Sequence, residues 1–233
     1  MPVSAGAQPR RAKAAVLVLH GGRADGRRPP PPVNLPALRM WPFATAIARA
    51  TAHDGVLVAR VRYRYRGWNG PDAHPVTDTR RALEELRALT GPVPVVLVGH
   101  SLGGRAALRA AAAPEVEGVV ALAPWCPPGE PVTHLRGRTV IALHDEADRV
   151  TSAADTWAQL VRAHGAGARV AGISMPGGGH TMVHDAGRWH RLTADATAAL
   201  LGLAAFPAVL AEGFSRQGRP HPVRDGAGPV TGR

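Results

Sequence analysis

Six short aliphatic runs, at 15–19, 56–61, 93–98, 118–122, 139–143 and 169–174, recur along the chain and are separated by longer segments with helical periodicity. Most are continuous rather than alternating, as expected of strands covered on both faces. Val76, Thr79, Leu83, Leu86 and Leu89 fall at helical spacing, and so do Trp157, Leu160, Val161 and His164. Trp189, Leu192, Ala196, Leu200 and Leu203 predict a closing helix. The alternation implies an α/β fold: a mainly parallel sheet of about six strands with helices on both faces. One domain is expected over 14–204, after a flexible N-terminus at 1–13 and before a disordered tail at 213–233 that is rich in Gly, Pro and Arg. The connections 21–36, 63–75 and 124–135 all follow strands, where open α/β sheets bind ligands, and none is long enough for a separate lid domain.

The run 93–98 leads into Gly99-His100-Ser101-Leu102-Gly103 and then an Ala-rich segment. A G-x-S-x-G pattern by itself arises by chance about once in fifteen in so glycine-rich a sequence, and the weight therefore rests on its context. A strand that turns sharply into a helix needs small residues two positions either side of the turning serine. Such an elbow lifts the Ser101 hydroxyl clear of the sheet and aims the helix N-terminus at it. On this motif and its setting, residues 14–203 resemble the α/β-hydrolase family, in size a small lidless serine hydrolase of the dienelactone-hydrolase kind.

The resemblance implies the chain order nucleophile, acid, histidine, which Ser101, Asp148 and His180 satisfy. Asp148 follows a strand in Leu143-His144-Asp145-Glu146-Ala147-Asp148, with Asp145 standing where the family usually has glycine, so Asp145 and Glu146 compete for the role. His180 ends Gly177-Gly178-Gly179-His180, with His184 as its rival. His20-Gly21-Gly22-Arg23 is similar to the family's first-loop motif, so the resemblance places the oxyanion donors at the Leu102 N–H and at Gly22 or Arg23, with His20 organising the loop. Dienelactone hydrolases use a cysteine nucleophile where this protein has Ser101, so their substrates do not carry over.

Composition narrows the alternatives. The formal charge is +11, from 28 basic against 17 acidic residues, yet all basic residues but Lys13 are arginines, scattered without a recognition motif, which argues against a nucleic-acid partner. Cys126 is the one cysteine, which excludes an intrachain disulfide and paired-cysteine metal sites. His180 and His184 have the i, i+4 spacing of metal ligands but lack the H-E-x-x-H pattern, and neither metal nor cofactor is expected. With no secretory signal and no apolar stretch of about 20 residues, the reading is a cytoplasmic protein without a membrane span.

The expected activity is hydrolysis of a small-molecule carboxylic ester or thioester through an acyl-enzyme, with Ser101, His180 and Asp148 as a Ser-His-Asp triad. Acyl transfer to another acceptor and perhydrolysis would use the same groups, and a non-catalytic binding protein of this fold is the reading from another class. Trp41, Trp68 and Trp125 are expected to line the substrate pocket. Arg60, Arg62, Arg64 and Arg66 alternate along a strand expected at the sheet edge, where they would deter edge-to-edge association or form a cationic rim favouring an anionic substrate.

Overall fold

The computed structural model describes residues 3–5 and 12–222. Eight strands form one sheet: β1 (Val3–Ala5), β2 (Ala14–Leu19), β3 (Val56–Val61), β4 (Val95–His100), β5 (Val116–Leu122), β6 (Thr139–His144), β7 (Arg169–Ser174) and β8 (Pro220–Pro222). Their spatial order is β1-β3-β2-β4-β5-β6-β7-β8. Only β1 runs antiparallel to its neighbour. β4 lies near the middle, so the serine that follows it emerges over the centre of the sheet.

Alternate side chains of each central strand enter different cores, which is why these strands read as unbroken apolar runs. Leu17, Leu97 and Val119 face α3 (His74–Thr90), α4 (Leu102–Ala110) and α5 (Ala153–Gly165) through Leu83, Leu86, Ala106 and Leu160. Val18, Val98 and Val120 face α2 (Trp41–Ala50), α6 (Ala186–Leu200) and α7 (Ala208–Ser215) through Phe43, Ile47, Trp189 and Leu210. A short α1 (Leu35–Arg39) precedes α2. The interior is aliphatic, as the 4% aromatic content requires.

The sheet is wider than the six expected strands. β3 is not the edge, because β1 pairs along its outer side from Val3–Val61 to Ala5–Ala59. At the other end, residues 208–215 form α7, and β8 adds to β7 from Gly172–Pro220 to Ser174–Pro222. The expected tail is therefore structured over 213–222. Of the expected flexible N-terminus, residues 3–5 form β1, and the Lys13 N–H bonds to the Gly55 carbonyl. Residues 1–2, 6–11 and 223–233 lie outside the described residues.

Between β5 and β6 there is only a loop with one 3-10 turn. Among the described residues no helix is long and apolar enough to cross a membrane.

Candidate active site

Ser101 joins β4 to α4 with φ 55° and ψ −120°, a region that L-residues avoid and that persists only where the surroundings fix it. Those surroundings are glycines. A Cβ on Gly99 would overlap the Gly103 carbonyl oxygen, and one on Gly103 would lie 2.6 Å from the His20 carbonyl oxygen. The G-x-S-x-G spacing is thus a steric necessity of this turn.

The loop after β7 carries His180 back over the sheet to Ser101. His180 Nε2 lies 3.1 Å from Ser101 Oγ, and His180 Nδ1 lies 2.8 Å from Asp148 Oδ2. A carboxylate can only accept, so Nδ1 carries the proton and Nε2 presents its lone pair to the serine hydroxyl. Asp148 Oδ1 accepts from the backbone N–H groups of Val150 and Thr151, at 2.7 and 3.1 Å. The Thr151 hydroxyl donates to Oδ2 at 2.9 Å. Burial pushes the Asp148 carboxyl upward, but these hydrogen bonds and the one from His180 outweigh it and hold the group at about 2.

The competing carboxylates have other places. Asp145 Oδ2 accepts the Gly179 N–H at 2.6 Å, tying the acid loop to the histidine loop, while Glu146 is exposed. His184 is exposed as well. The lone cysteine offers no thiolate, since burial raises the Cys126 thiol to about 12.

Two buried histidines that carry no motif signal support this array. His100, the second residue of the G-x-S-x-G motif, donates from Nε2 to the His180 carbonyl at 2.9 Å. Burial above all, then the neighbouring His180, lowers its pKa to about 3, so it is neutral. His144, at the end of β6, donates from Nε2 to Asp148 Oδ2 at 3.2 Å, and its Nδ1 accepts from the Thr156 hydroxyl at 2.9 Å. His144 ends an apolar strand and is fully buried, so only coordinates reveal that it faces Asp148.

Helix α4 opens at Leu102, so the Leu102 N–H has no helical carbonyl to bond. Gly22 lies against Leu102: a Cβ there would be 3.1 Å from its Cδ1. The Arg23 N–H donates instead to the Arg66 carbonyl at 2.9 Å. That bond removes Arg23 from the candidate oxyanion donors and leaves Gly22. His20 bonds through Nδ1 to the Gly21 carbonyl at 2.7 Å, the loop-organising place expected for it.

The tryptophans do not line one pocket. Trp68 is buried in the core, and Trp68 and Trp125 enclose the Arg105 guanidinium, which lies 3.8 and 4.3 Å from their ring centres. Arg105 is also paired with the buried Glu130 at 2.5 Å, so both rings secure a strut between α4 and the loop after β5. Trp41 is half exposed on α2, with the Arg60 guanidinium 4.5 Å over its ring. Nor do the four arginines form one rim: Arg64 is paired with buried Asp78 at 2.5 Å, and the Arg66 side chain packs beside Gly26. A cavity of about 620 Å³ opens at the ends of β2 and β3, bounded by His20, the wall of prolines 29–32, Asn34, Arg60, Arg62 and Tyr63.

A serine raised on a strained strand-to-helix turn, in a central parallel sheet with a histidine and a carboxylate in line behind it, defines the α/β-hydrolase class of fold. The chain belongs to the alpha/beta hydrolase family, whose model matches residues 16–211. Among solved structures it is similar to an α/β serine hydrolase without a lid from Xanthomonas campestris, at 22% identity over 88% of this chain and 89% of that one, with a TM-score of 0.57. A protein of unknown function from Agrobacterium tumefaciens aligns with a TM-score of 0.67 at 16% identity, over 88% of this chain and 93% of its own. Est1E from Butyrivibrio proteoclasticus, solved with ferulic acid bound, aligns with a TM-score of 0.58 at 12% identity, covering 86% of this chain and 96% of its own. At these identities the likeness is one of fold. No curated protein sequence matches this one.

Proposed function

We propose that the protein is a serine hydrolase that cleaves a carboxylic ester or thioester through an acyl-enzyme. The observation that carries this reading is the unbroken series from Ser101 Oγ to His180 Nε2 at 3.1 Å and from His180 Nδ1 to Asp148 Oδ2 at 2.8 Å. A serine hydroxyl is a weak nucleophile near neutral pH. In the proposed reaction His180 takes the Ser101 proton as Oγ adds to the carbonyl carbon, and Asp148 stabilises the imidazolium that forms. The resulting oxyanion is held by the Leu102 and Gly22 N–H groups, each such donor contributing about 10²–10³ in rate. His180 returns the proton to the departing alcohol or thiol, then activates water against the acyl-Ser101 ester.

The first test is labelling with a fluorophosphonate and turnover of p-nitrophenyl acyl esters. The expected outcome is labelling at Ser101 and a fall in kcat of about 10⁴-fold or more in Ser101→Ala. Labelling that persists in Ser101→Ala would move the nucleophile elsewhere, and a parent protein that neither labels nor turns over would favour a binding role.

A further inference from the structure

The cavity beside the oxyanion loop has an uneven complement of charge. Arg60 and Arg62 both line it, neither has a carboxylate partner among the described residues, and no acidic side chain lines it. Arg60 is only partly exposed, and its guanidinium carbon lies 4.5 Å over the Trp41 ring. Burial, and then the charge of Arg62, both disfavour its protonated form, so an anion placed between the two would relieve both costs. Tyr63 lines the same cavity, is buried, and its hydroxyl has no hydrogen-bond partner.

The position of the cavity relates it to the candidate nucleophile. His20 forms part of its lining, and the next residue, Gly21, is packed so closely that a Cβ there would lie 3.4 Å from the Ser101 Cβ. The cavity thus begins one residue from the position that packs on the Ser101 turn, within the reach of the remainder of an ester whose acyl carbon lies at Ser101. The proline wall at 30–32 is restricted in its backbone torsions, which limits the entropy lost when a ligand is enclosed.

From these residues we infer that the cavity is a carboxylate subsite: the substrate is an ester or thioester that also bears a carboxylate, bound by Arg60 and Arg62 with the Asn34 side chain as a further donor. Two guanidinium groups match the charge and planar geometry of a carboxylate. The inference rests on the hydrolase reading and names its substrate class. The Trp41–Arg60 contact then acts in orientation, fixing the guanidinium plane.

The test separates binding from chemistry. Binding of monomethyl adipate and of dimethyl adipate is measured by calorimetry on Ser101→Ala. The monoanion is expected to bind at least 10-fold more tightly than the diester, with a preference that shrinks as salt is raised. Arg62→Glu, a change at an exposed position, is expected to abolish or reverse that preference, and Arg60→Gln to reduce it. In the parent, the ratio of kcat/KM for p-nitrophenyl monoesters of adipic acid to that for the hexanoate is expected to fall about 10-fold or more in Arg62→Glu, mainly through KM. Equal binding of monoanion and diester by Ser101→Ala, or a preference unchanged in Arg62→Glu, overturns the subsite. Absence of fluorophosphonate labelling together with intact monoanion binding would overturn the hydrolase reading and leave the carboxylate site standing.

Discussion

Asp148 accepts from five donors: His180, His144, the Thr151 hydroxyl and two backbone N–H groups. A carboxylate held this way stays ionised and cannot rotate, so the direction in which it aims His180 is fixed by groups that never touch substrate. His144 is the informative member, because the Asp148 carboxylate, which only accepts, places its proton on Nε2, and the Thr156 hydroxyl can then donate to Nδ1. Replacing His144 by Phe removes a hydrogen bond to a charged group, a loss of about 1.5–3 kcal/mol where that bond orients the reacting array. The expected result is a kcat lower by about 10–100-fold with KM little changed, and partial recovery in His144→Gln, whose amide can donate to the same oxygen. A change confined to KM would show that His144 does not position the acid. Ser101, Asp148 and His180 can be picked out as candidates in the sequence because each follows a strand, beside glycines or in the chain order that the resemblance implies. His100 and His144 are not legible: a buried imidazole that donates to a backbone carbonyl or to a carboxylate leaves no spacing to read. The tryptophans mislead for the related reason that their partner, Arg105, is set by the tertiary fold and not by their own spacing.

At the scale of elements, two features hold the candidate site. One is the turn from β4 to α4, where Gly99 and Gly103 allow close backbone contact. The other is the strut in which Arg105 lies between Trp68 and Trp125, bonds to Glu130, and so ties α4 to the loop after β5. Trp125 also donates its backbone N–H to the Ser101 carbonyl at 3.0 Å, so the strut is linked directly to the elbow. Lysine in place of Arg105 keeps the charge but loses the guanidinium that contacts both rings and the fork that meets the carboxylate. Arg105→Lys is expected to lower stability by about 1–3 kcal/mol in urea unfolding, since Glu130 is buried and loses its best-placed partner. A midpoint shifted by less than the error would show that the stacked arrangement contributes little. The six strands expected from the sequence are all present, two with unchanged bounds, because continuous apolar runs mark strands buried on both faces. β1 and β8 escape detection because each has three residues, and Pro220-His221-Pro222 carries no apolar period. Such edge strands exist through pairing with a neighbour already formed, information that is not local.

Over the whole molecule, the buried histidines couple stability to pH. Burial lowers the pKa of His20, His100, His144 and His190, with His100 reaching about 3. In the unfolded state an imidazole titrates near about 6.5. As pH falls below about 6.5 the unfolded state therefore binds protons that the folded state refuses, and stability present above that pH declines continuously through the acid range. Asp148 has a different window: its folded value lies below the unfolded carboxylate value, so its contribution persists until pH falls below about 4 and is lost on passing through about 2. Acid weakening that begins above about pH 5 consequently belongs to the histidines rather than to the carboxylate. A formal charge of +11 adds a general repulsion that also grows as histidines protonate, and the two causes need separating. His100→Gln does so, since glutamine keeps a donor for the His180 carbonyl and does not titrate. Each refused proton contributes a slope of about 1.4 kcal/mol per pH unit, so in urea unfolding between about pH 6 and 4 the variant should lose stability less steeply than the parent by up to that amount. Identical slopes would remove His100 as a cause and leave the acid sensitivity to the other histidines and to overall charge.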